Sequence, residues 1–356
     1  MTKKINVLVT AIGGFSHGEQ ILKALLAAPG DRYIVHGADA RGFCPQFSTV
    51  ETAHKLPFAS DPSYLDALLS LCKRLDVKVL FHGSEPELKV MSENREMFTQ
   101  EGILIPINPP EVIDRCMDKV KTNRFLLEKG FHAPAFHQIT GMDVVDVVDR
   151  FPVIVKPSIG GGGSANVFVA QSRDELAAIF RLVEGQGSLM VQEYVGRPED
   201  EFTIGVLHDL DGTFINSIAV RRDLSSSLNV RISVVNRTNR TDLGPKLVVS
   251  SGISHGEIGK YPEVTGQCEA MAKAIGAAGP VNIQARFVDG VVMVFEINPR
   301  FSGTTSMRAM VGFNEPDLLI RRHLLGEKLE PRFNYGEGMI LRSLLETEIL
   351  KQHRIS

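Results

Sequence analysis

The chain has 356 residues, 43% of them hydrophobic and 23% charged, with a net charge of −3. This is the balance of an ordinary soluble protein; it provides no global basic field to draw nucleic acid, and no apolar run approaches the roughly 20 residues needed to span a bilayer. The length accommodates two or three domains or subdomains. The first residues, MTKKINVLVT, pass straight into an apolar run with no signal-peptide core. Cys44, Cys72, Cys116 and Cys268 are scattered without CxxC spacing and read as reduced thiols of a cytoplasmic protein.

Residues 1–115 read as a parallel α/β domain. A short apolar strand over 5–10 is followed by Gly13, Gly14 and Gly18, then by a helical pattern through Ile21, Leu22, Leu25 and Leu26. Pro29-Gly30 stops that helix, and 33–38 forms the next strand, finishing at Asp39. This βαβ start predicts a parallel sheet. Glycines plus a strand-end acid match half of a dinucleotide fingerprint, but the spacing is G-G-x-x-x-G. A tight strand-to-helix turn is therefore favoured over a nicotinamide site, with a contribution to a small-substrate pocket as a third reading. A helix over 65–75 and a strand over 77–81 come next. HGSEPEL, residues 82–88, then carries Glu85 and Glu87 into a helix reaching Met97. Two readings stand for these acids: ligand contact at the sheet's carboxyl edge, or first-turn carboxylates complementing a helix dipole. A last strand is predicted over 103–107, before Asn108-Pro109-Pro110 breaks the chain.

In the middle of the chain one helix is predicted over 111–129, with Asp118, Lys119, Lys121 and Arg124 on it. Taken alone, its cations form a solvated face. A strand over 152–156 ends in Lys156, and Gly160, Gly161, Gly162, Gly163 and Ser164 follow before the next strand over 167–170. This strand–loop–strand is unlike a P-loop, which feeds a helix. Its use is similar nonetheless: backbone N–H groups folding over phosphates with a lysine charge beneath. The plain alternative is a hairpin tip, yet four consecutive glycines carry a large ordering entropy. A strand over 189–194 passes Gln192, Glu193, Tyr194 and Val195 into Gly196-Arg197-Pro198. Such an extended connection leaves backbone groups to pair with an adenine edge. Glu201 opens the strand EFTIGVL.

The last part carries the densest chemistry. After the arginine-rich 221–244 stretch, which stands as a pocket lining, a flap or a solvated loop, come a strand over 246–251 and a helix over 262–275. Residues 281–306 follow, VNIQARFVDGVVMVFEINPRFSGTTS. Asp289-Gly290 is a two-residue hairpin signal. Glu296 and Asn298 are two apart on the second strand and share a face, and Gln284 on the first strand stands to meet them. A carboxylate in an apolar strand is costly to bury without a partner. One carboxylate with neutral oxygens suits Mg²⁺, and Arg300 lies a residue or two beyond, where a planar cation can hold a phosphoryl oxygen. The plain alternative is a surface Glu at a strand end.

The ordered set SEPEL, DKVKTNRFLLEKG, FPVIVKP with GGGGS, VQEYV, EFTIGV, VNIQARF and FEINPRFSG resembles the ATP-grasp superfamily over nearly the whole chain. It is most similar to the branch with biotin carboxylase, the synthetase domains of carbamoyl phosphate synthetase and the carboxylate–amine ligases. The resemblance implies an α/β fold of the mixed α+β ATP-grasp kind. In it, an N-terminal parallel α/β domain (1–115) precedes a small lid lobe with the Gly-rich loop (116–200) and a C-terminal lobe with the metal site (201–356), with nucleotide between the lobes. It implies that Lys119 and Lys156 face the ATP phosphates under the Gly160–Ser164 loop. Gln192, Glu193, Tyr194 and Val195 would form the adenine connector, with Glu201 beside the nucleotide. Gln284, Glu296 and Asn298 would bind Mg²⁺ or Mn²⁺, and Arg300 would steady the transferring phosphoryl group. Many members carry a carboxylate where Gln284 stands, which weakens one of two metal positions. The implied reaction is ATP-dependent activation of a carboxylate as an acyl phosphate for attack by an amine. Bicarbonate activation through carboxyphosphate and a non-catalytic nucleotide-binding regulator are the alternatives. The implied partners are small-molecule substrates, without nucleic acid or membrane, and homodimerisation stays open.

Overall fold

The computed structural model describes residues 4–14, 16–139, 141–142, 144–160, 164–185 and 187–347. Its first sheet is parallel: β1 (Ile5–Val9) lies between β2 (Tyr33–Asp39) and β4 (Val79–Phe81), with β3 (Thr52–Lys55) outside β2. Both faces are covered, so Val7, Leu8 and Val9 of β1 are consecutive buried apolar residues. Val7 and Val9 pack with Ile21 and Leu22 of the His17–Leu26 helix. Leu8 packs on the other side with Leu68 and Leu71 of the Tyr64–Arg74 helix. β3 is short and polar (TAHK), without the alternation that marks a strand. The strand expected over 103–107 is reduced to one bridge, Val79 to Leu104. The helix expected to reach Met97 is two helices, Glu85–Glu93 and Arg95–Gln100. Asn94 stands between them, and its side-chain nitrogen turns back to Val90 O at 2.9 Å.

The helix expected over 111–129 is likewise two, Pro110–Met117 and Lys119–Glu128. Asp118 between them is extended (φ −106°, ψ 111°), and its carboxylate accepts from the N–H of Val120 at 2.8 Å and Lys121 at 3.3 Å. An aspartate that caps so well competes with continued helix. The Lys119 N–H, freed from the first helix, bonds Ser158 O at 2.8 Å.

The second sheet is antiparallel, in the order β5 (Phe136–Ile139), β8 (Leu189–Glu193), β6 (Val153–Pro157), β7 (Phe168–Ala170). Val153 and Val155 pack on Leu176 and Phe180 of the Arg173–Val183 helix. The third sheet has six antiparallel strands. β9 (Glu201–His208) is central, flanked by β14 (Pro280–Val288) and β15 (Val291–Asn298) on one side. On the other side lie β10 (Phe214–Arg222), β13 (Gly256–Gly259) and β16 (Gly338–Ile340). One face of β9 and β14 packs on the Pro262–Ile275 helix through Val264, Cys268, Met271 and Ile275. The arginine-rich stretch is partly regular: β11 (Val230–Val235) pairs with β12 (Lys246–Ser250) as a two-stranded ribbon. The four cysteines are free and buried. Among the described residues no helix is long and apolar enough to cross a membrane.

Candidate active site

The hairpin of β14 and β15 is not regular. Asn282 pairs with Asn298, Ile283 with Ile297 and Gln284 with Glu296, but Ala285 pairs with Val294. Phe295 is the extra residue of a bulge. Val292 and Val294 before it and Ile297 after it all enter the core shared with Ile283 and Ala285. Strict alternation from Val292 and Val294 would drive Glu296 into that core, where an unpaired carboxylate is costly. The bulge resets the phase, and Glu296 and Asn298 emerge on the opposite face with Gln284 and Asn282. Gln284 Nε2 lies 3.0 Å from Glu296 Oε2.

Gln284 and Glu296 on that face form one wall of a cleft. Lys156, at the end of β6, reaches into it with only 7% exposure. Its ammonium donates to Gln192 Oε1 at 2.7 Å and to Phe295 O at 3.0 Å, so the bulge also supplies an acceptor. Burial, with the nearby Lys119 charge adding to it, pulls the Lys156 pKa down to about 7. Lys119, first residue of its helix because Asp118 breaks the chain there, places Nζ 3.1 Å from Glu296 Oε1 and donates to Gly160 O at 2.9 Å. Burial alone would raise the Glu296 carboxyl, but Lys119 and Lys156 outweigh it and hold it below the ordinary range. Ser164, also in the lining, donates from Oγ to Ser250 O at 2.7 Å. Gly161, Gly162 and Gly163 lie outside the described residues.

The connector from Gln192 to Val195 lines the cleft but is less open than its sequence suggests. The Glu193 N–H donates to Ala135 O at 2.8 Å and the Tyr194 N–H to Pro152 O at 3.0 Å, while Val195 O accepts from Arg286 at 3.1 Å. The Glu193 carboxylate is 3.1 Å from both Arg150 and Arg240. Glu201 also lines the cleft, with both oxygens held: Oε1 by Arg222 and Oε2 by Arg286, each at 3.1 Å. Arg222 and Arg286 are lining residues that sequence reasoning left unassigned. The signal for Arg286 is its position two beyond Gln284 on one strand face; it then stands opposite Glu201 in register. Arg222 ends a long apolar strand, and it ties down the loop after β12 by donating to Ser251 O and Ile253 O.

Asn298 and Arg300 are not lining residues of the cleft, though the Arg300 charge is close enough to help lower the Glu296 carboxyl. Arg300 donates to Asn298 Oδ1 at 3.0 Å and to Phe301 O at 3.0 Å, and pairs with Glu85 at 2.8 Å. Among the described residues no group of three or more His, Cys, Asp or Glu side chains is placed to hold a metal ion. Glu296 with the carboxamides of Gln284 and Asn298 is a different donor set. One carboxylate and neutral oxygens fit a hard divalent cation that takes its remaining ligands from phosphate and water. The Asn298 amide nitrogen is buried without a partner, an orphaned polar group at that place.

Residues 186–342 match the family model described as ATP-grasp in the biosynthetic pathway with Ter operon, and residues 7–106 match the PylC-like N-terminal domain. The carbamoyl phosphate synthase large chain of Gemmatimonas aurantiaca is 28% identical over 268 residues, which are 71% of this chain and 23% of that protein. This chain thus spans about a quarter of that relative's length. The solved L-amino acid ligase from Bacillus licheniformis superposes with a TM-score of 0.62 at 16% identity, over 93% of this chain and 78% of that one. N5-carboxyaminoimidazole synthetase from Staphylococcus aureus, complexed with ADP, gives 0.63 at 15% identity, over 95% and 81%. The fold is that of the ATP-grasp proteins. Residues 186–342 are thus similar to an ATP-grasp domain and residues 7–106 to a PylC-like N-terminal domain.

Proposed function

We propose that this protein is an ATP-dependent ligase that activates a carboxylate as an acyl phosphate for attack by an amine, releasing ADP and phosphate. One observation carries the reading: Lys119, Lys156 and Glu296, from three separate segments, converge on a single cleft. A likeness in fold to an L-amino acid ligase and to an ADP-bound synthetase supports it. In this reading residues 1–115 form the N-terminal domain, 116–200 the lid lobe and 201–356 the lobe with the metal site. Gln284, Glu296 and Asn298 would hold Mg²⁺ or Mn²⁺, which supplies charge neutralisation on the triphosphate.

The rest is the work of the chain's own groups. Lys156 exchanges Gln192 Oε1 and Phe295 O for phosphate oxygens, and Lys119 exchanges Gly160 O. Gln192, Glu193, Tyr194 and Val195 bound the adenine, with Glu201 and its two arginines fixing the floor. The substrate carboxylate oxygen bonds to the γ-phosphorus as the bond to ADP breaks. The amine then bonds to the acyl carbon, phosphate leaves and the amine gives up its proton. Gly160 to Ser164 close over the phosphates and keep water from the acyl phosphate. Such transfer needs positioning and electrostatics more than covalent help.

Arg300, beside Asn298 and close enough for its charge to help lower the Glu296 carboxyl, steadies the transferring phosphoryl group. Arg300→Ala is expected to lower kcat by about 10²-fold while leaving nucleotide Kd nearly unchanged. Turnover measured beside equilibrium ATP binding checks this, and intact turnover speaks against the role. The test of the whole reading is an ADP-release screen of carboxylates against amines, followed by product mass. The similarity to carbamoyl phosphate synthase favours a second reading, bicarbonate activation. ADP release that needs bicarbonate and no other acceptor selects it. Nucleotide binding with no ADP formed across the panel selects a regulator.

A further inference from the structure

Both oxygens of the Glu296 carboxylate are taken by donors of the protein itself. Oε1 lies 3.1 Å from the Lys119 ammonium, and Oε2 accepts from Gln284 Nε2 at 3.0 Å. Gln284 therefore turns its amide nitrogen, not its oxygen, toward the carboxylate with which it would share a metal. The same ammonium donates to Gly160 O at 2.9 Å. One lysine thus bridges the start of the Gly-rich loop and the carboxylate of the candidate metal site.

The backbone of Lys119 is pinned, so a swing of its side chain is the available move. Its N–H donates to Ser158 O at 2.8 Å, and its carbonyl accepts from Asn123 Nδ2 at 2.6 Å. Three cations face Glu296: Lys119, Lys156 and Arg300. Burial would raise its carboxyl, and together they hold it below the ordinary range instead. They are not equivalent. Lys156 donates to two neutral acceptors, Gln192 Oε1 and Phe295 O. Arg300 has Glu85 as its own partner at 2.8 Å, which balances its charge. Of the three, Lys119 is the one in contact with the Glu296 carboxylate. A divalent ion that approached Glu296 past this ammonium would meet a like charge in a partly buried place, where repulsion is poorly screened.

We propose that Lys119 gates the metal site: while its ammonium holds Glu296 a divalent ion is kept off the carboxylate, and triphosphate opens the site by drawing the ammonium onto its own oxygens. The inference rests on the ligase reading for the places of triphosphate and metal. Ammonium and divalent ion compete for one carboxylate oxygen, and affinity for the ion is lowered by the fraction of molecules in which Lys119 holds it. Triphosphate resolves the conflict, because its charged oxygens satisfy the ammonium and the ion at once. On leaving Glu296 the ammonium also leaves Gly160 O, so the metal site and the start of the Gly-rich loop are set free together. Gln284 completes the change by turning its amide oxygen toward the ion. Nucleotide and metal are then coupled through a group of the protein, beyond the affinity of the ion for triphosphate itself.

The test uses the full-length protein with Mn²⁺ alone, free Mn²⁺ being read from its electron paramagnetic resonance signal. Without nucleotide the parent is expected to bind Mn²⁺ weakly. Lys119→Met removes the ammonium and should tighten this nucleotide-free binding by about tenfold or more, and the gain should vanish when Glu296→Gln is added. A second measurement needs no variant that might fold poorly. In the parent, ATP in excess EDTA should shift the NMR signal of the Lys119 ε-methylene, and Mg²⁺ alone should leave it in place. Nucleotide-free Mn²⁺ binding as tight in the parent as in Lys119→Met, a gain that survives Glu296→Gln, or a Lys119 signal that ATP in EDTA does not move overturns the proposal. ADP release in the carboxylate and amine screen alongside any of those results keeps the ligase reading and removes only the gate. The expected Mn²⁺ gain with no ADP formed from any acceptor keeps the gate and sinks the ligase reading.

Discussion

Lys156→Met is expected to lower kcat/KM for ATP by about 10³-fold and to abolish a proton uptake that the parent protein shows on binding nucleotide. The reason lies in where the lysine is kept. It is buried with two neutral acceptors, Gln192 Oε1 and Phe295 O, and burial with the Lys119 charge outweighs the Glu296 carboxylate. Its pKa is pulled from 10.5 to about 7, so above pH 7 the empty site holds mostly a neutral amine. Triphosphate favours the ammonium and restores the proton. The sign follows directly. A group whose pKa rises on binding takes up a proton where the free form is deprotonated, about 0.9 per nucleotide at pH 8 and about 0.1 at pH 6. Nucleotide affinity should therefore fall by up to about tenfold per pH unit above pH 7 and be flat in this residue below it. Calorimetry at pH 8 in two buffers of different ionisation heat reads the uptake directly. A parent protein that binds nucleotide with no buffer dependence would show that Lys156 is charged beforehand or does not meet the phosphates.

The second large effect is on the scaffold. Arg308 is fully buried (0% exposed) and paired with Glu315 at 3.2 Å. It also donates to Asn282 Oδ1 at 2.7 Å, and Thr203 Oγ1 bonds the same oxygen at 2.9 Å. Asn282 is the register partner of Asn298, so this network lies on the same sheet face as the candidate metal site. Gly205 in β9 makes room for it: a Cβ there would stand 2.3 Å from Arg308 NH1. Arg308→Met leaves Glu315 buried and unpaired, in a place where burial already raises its carboxyl. Removing one partner of such a pair costs roughly 3–5 kcal/mol. In urea the unfolding midpoint should drop with the slope unchanged. Arg308→Met combined with Glu315→Met should recover much of the loss, because the unpaired charge is then gone. Equal loss in the single and double variants would place the energy in packing instead.

Both sites show where local sequence is informative. A lysine closing a β-rich run ahead of four glycines, and the spacing Glu296-x-Asn298-x-Arg300, are patterns of period two and of turn chemistry. They can be read residue by residue. So can the parallel N-terminal sheet, since covered strands leave apolar runs such as 7–9. Arg286 escaped, and Arg222 stood only as one of several arginines with a pocket lining among its readings, because each looks like an ordinary strand cation until its partner, Glu201, is placed across the sheet. The split at Asp118 escaped because capping competes with helix by a margin that helical periodicity does not display. That split is what makes Lys119 a first-turn residue able to reach Glu296.

By itself the sequence determined the inventory and its order: the parallel sheet, the glycine-rich turn behind Lys156, the late hairpin and the polar residues strung along it. Tertiary structure alone decided their phase and their partners. Val292 and Val294 claim the core face, and an unbroken strand would have buried Glu296 beside them; the extra residue at Phe295, made possible by pairing with β14, turns it outward. Glu85 meets Arg300 across 215 residues of chain. Periodicity is a property of neighbours along the chain, whereas register and ion pairing belong to segments up to 215 residues apart, so no local pattern records them.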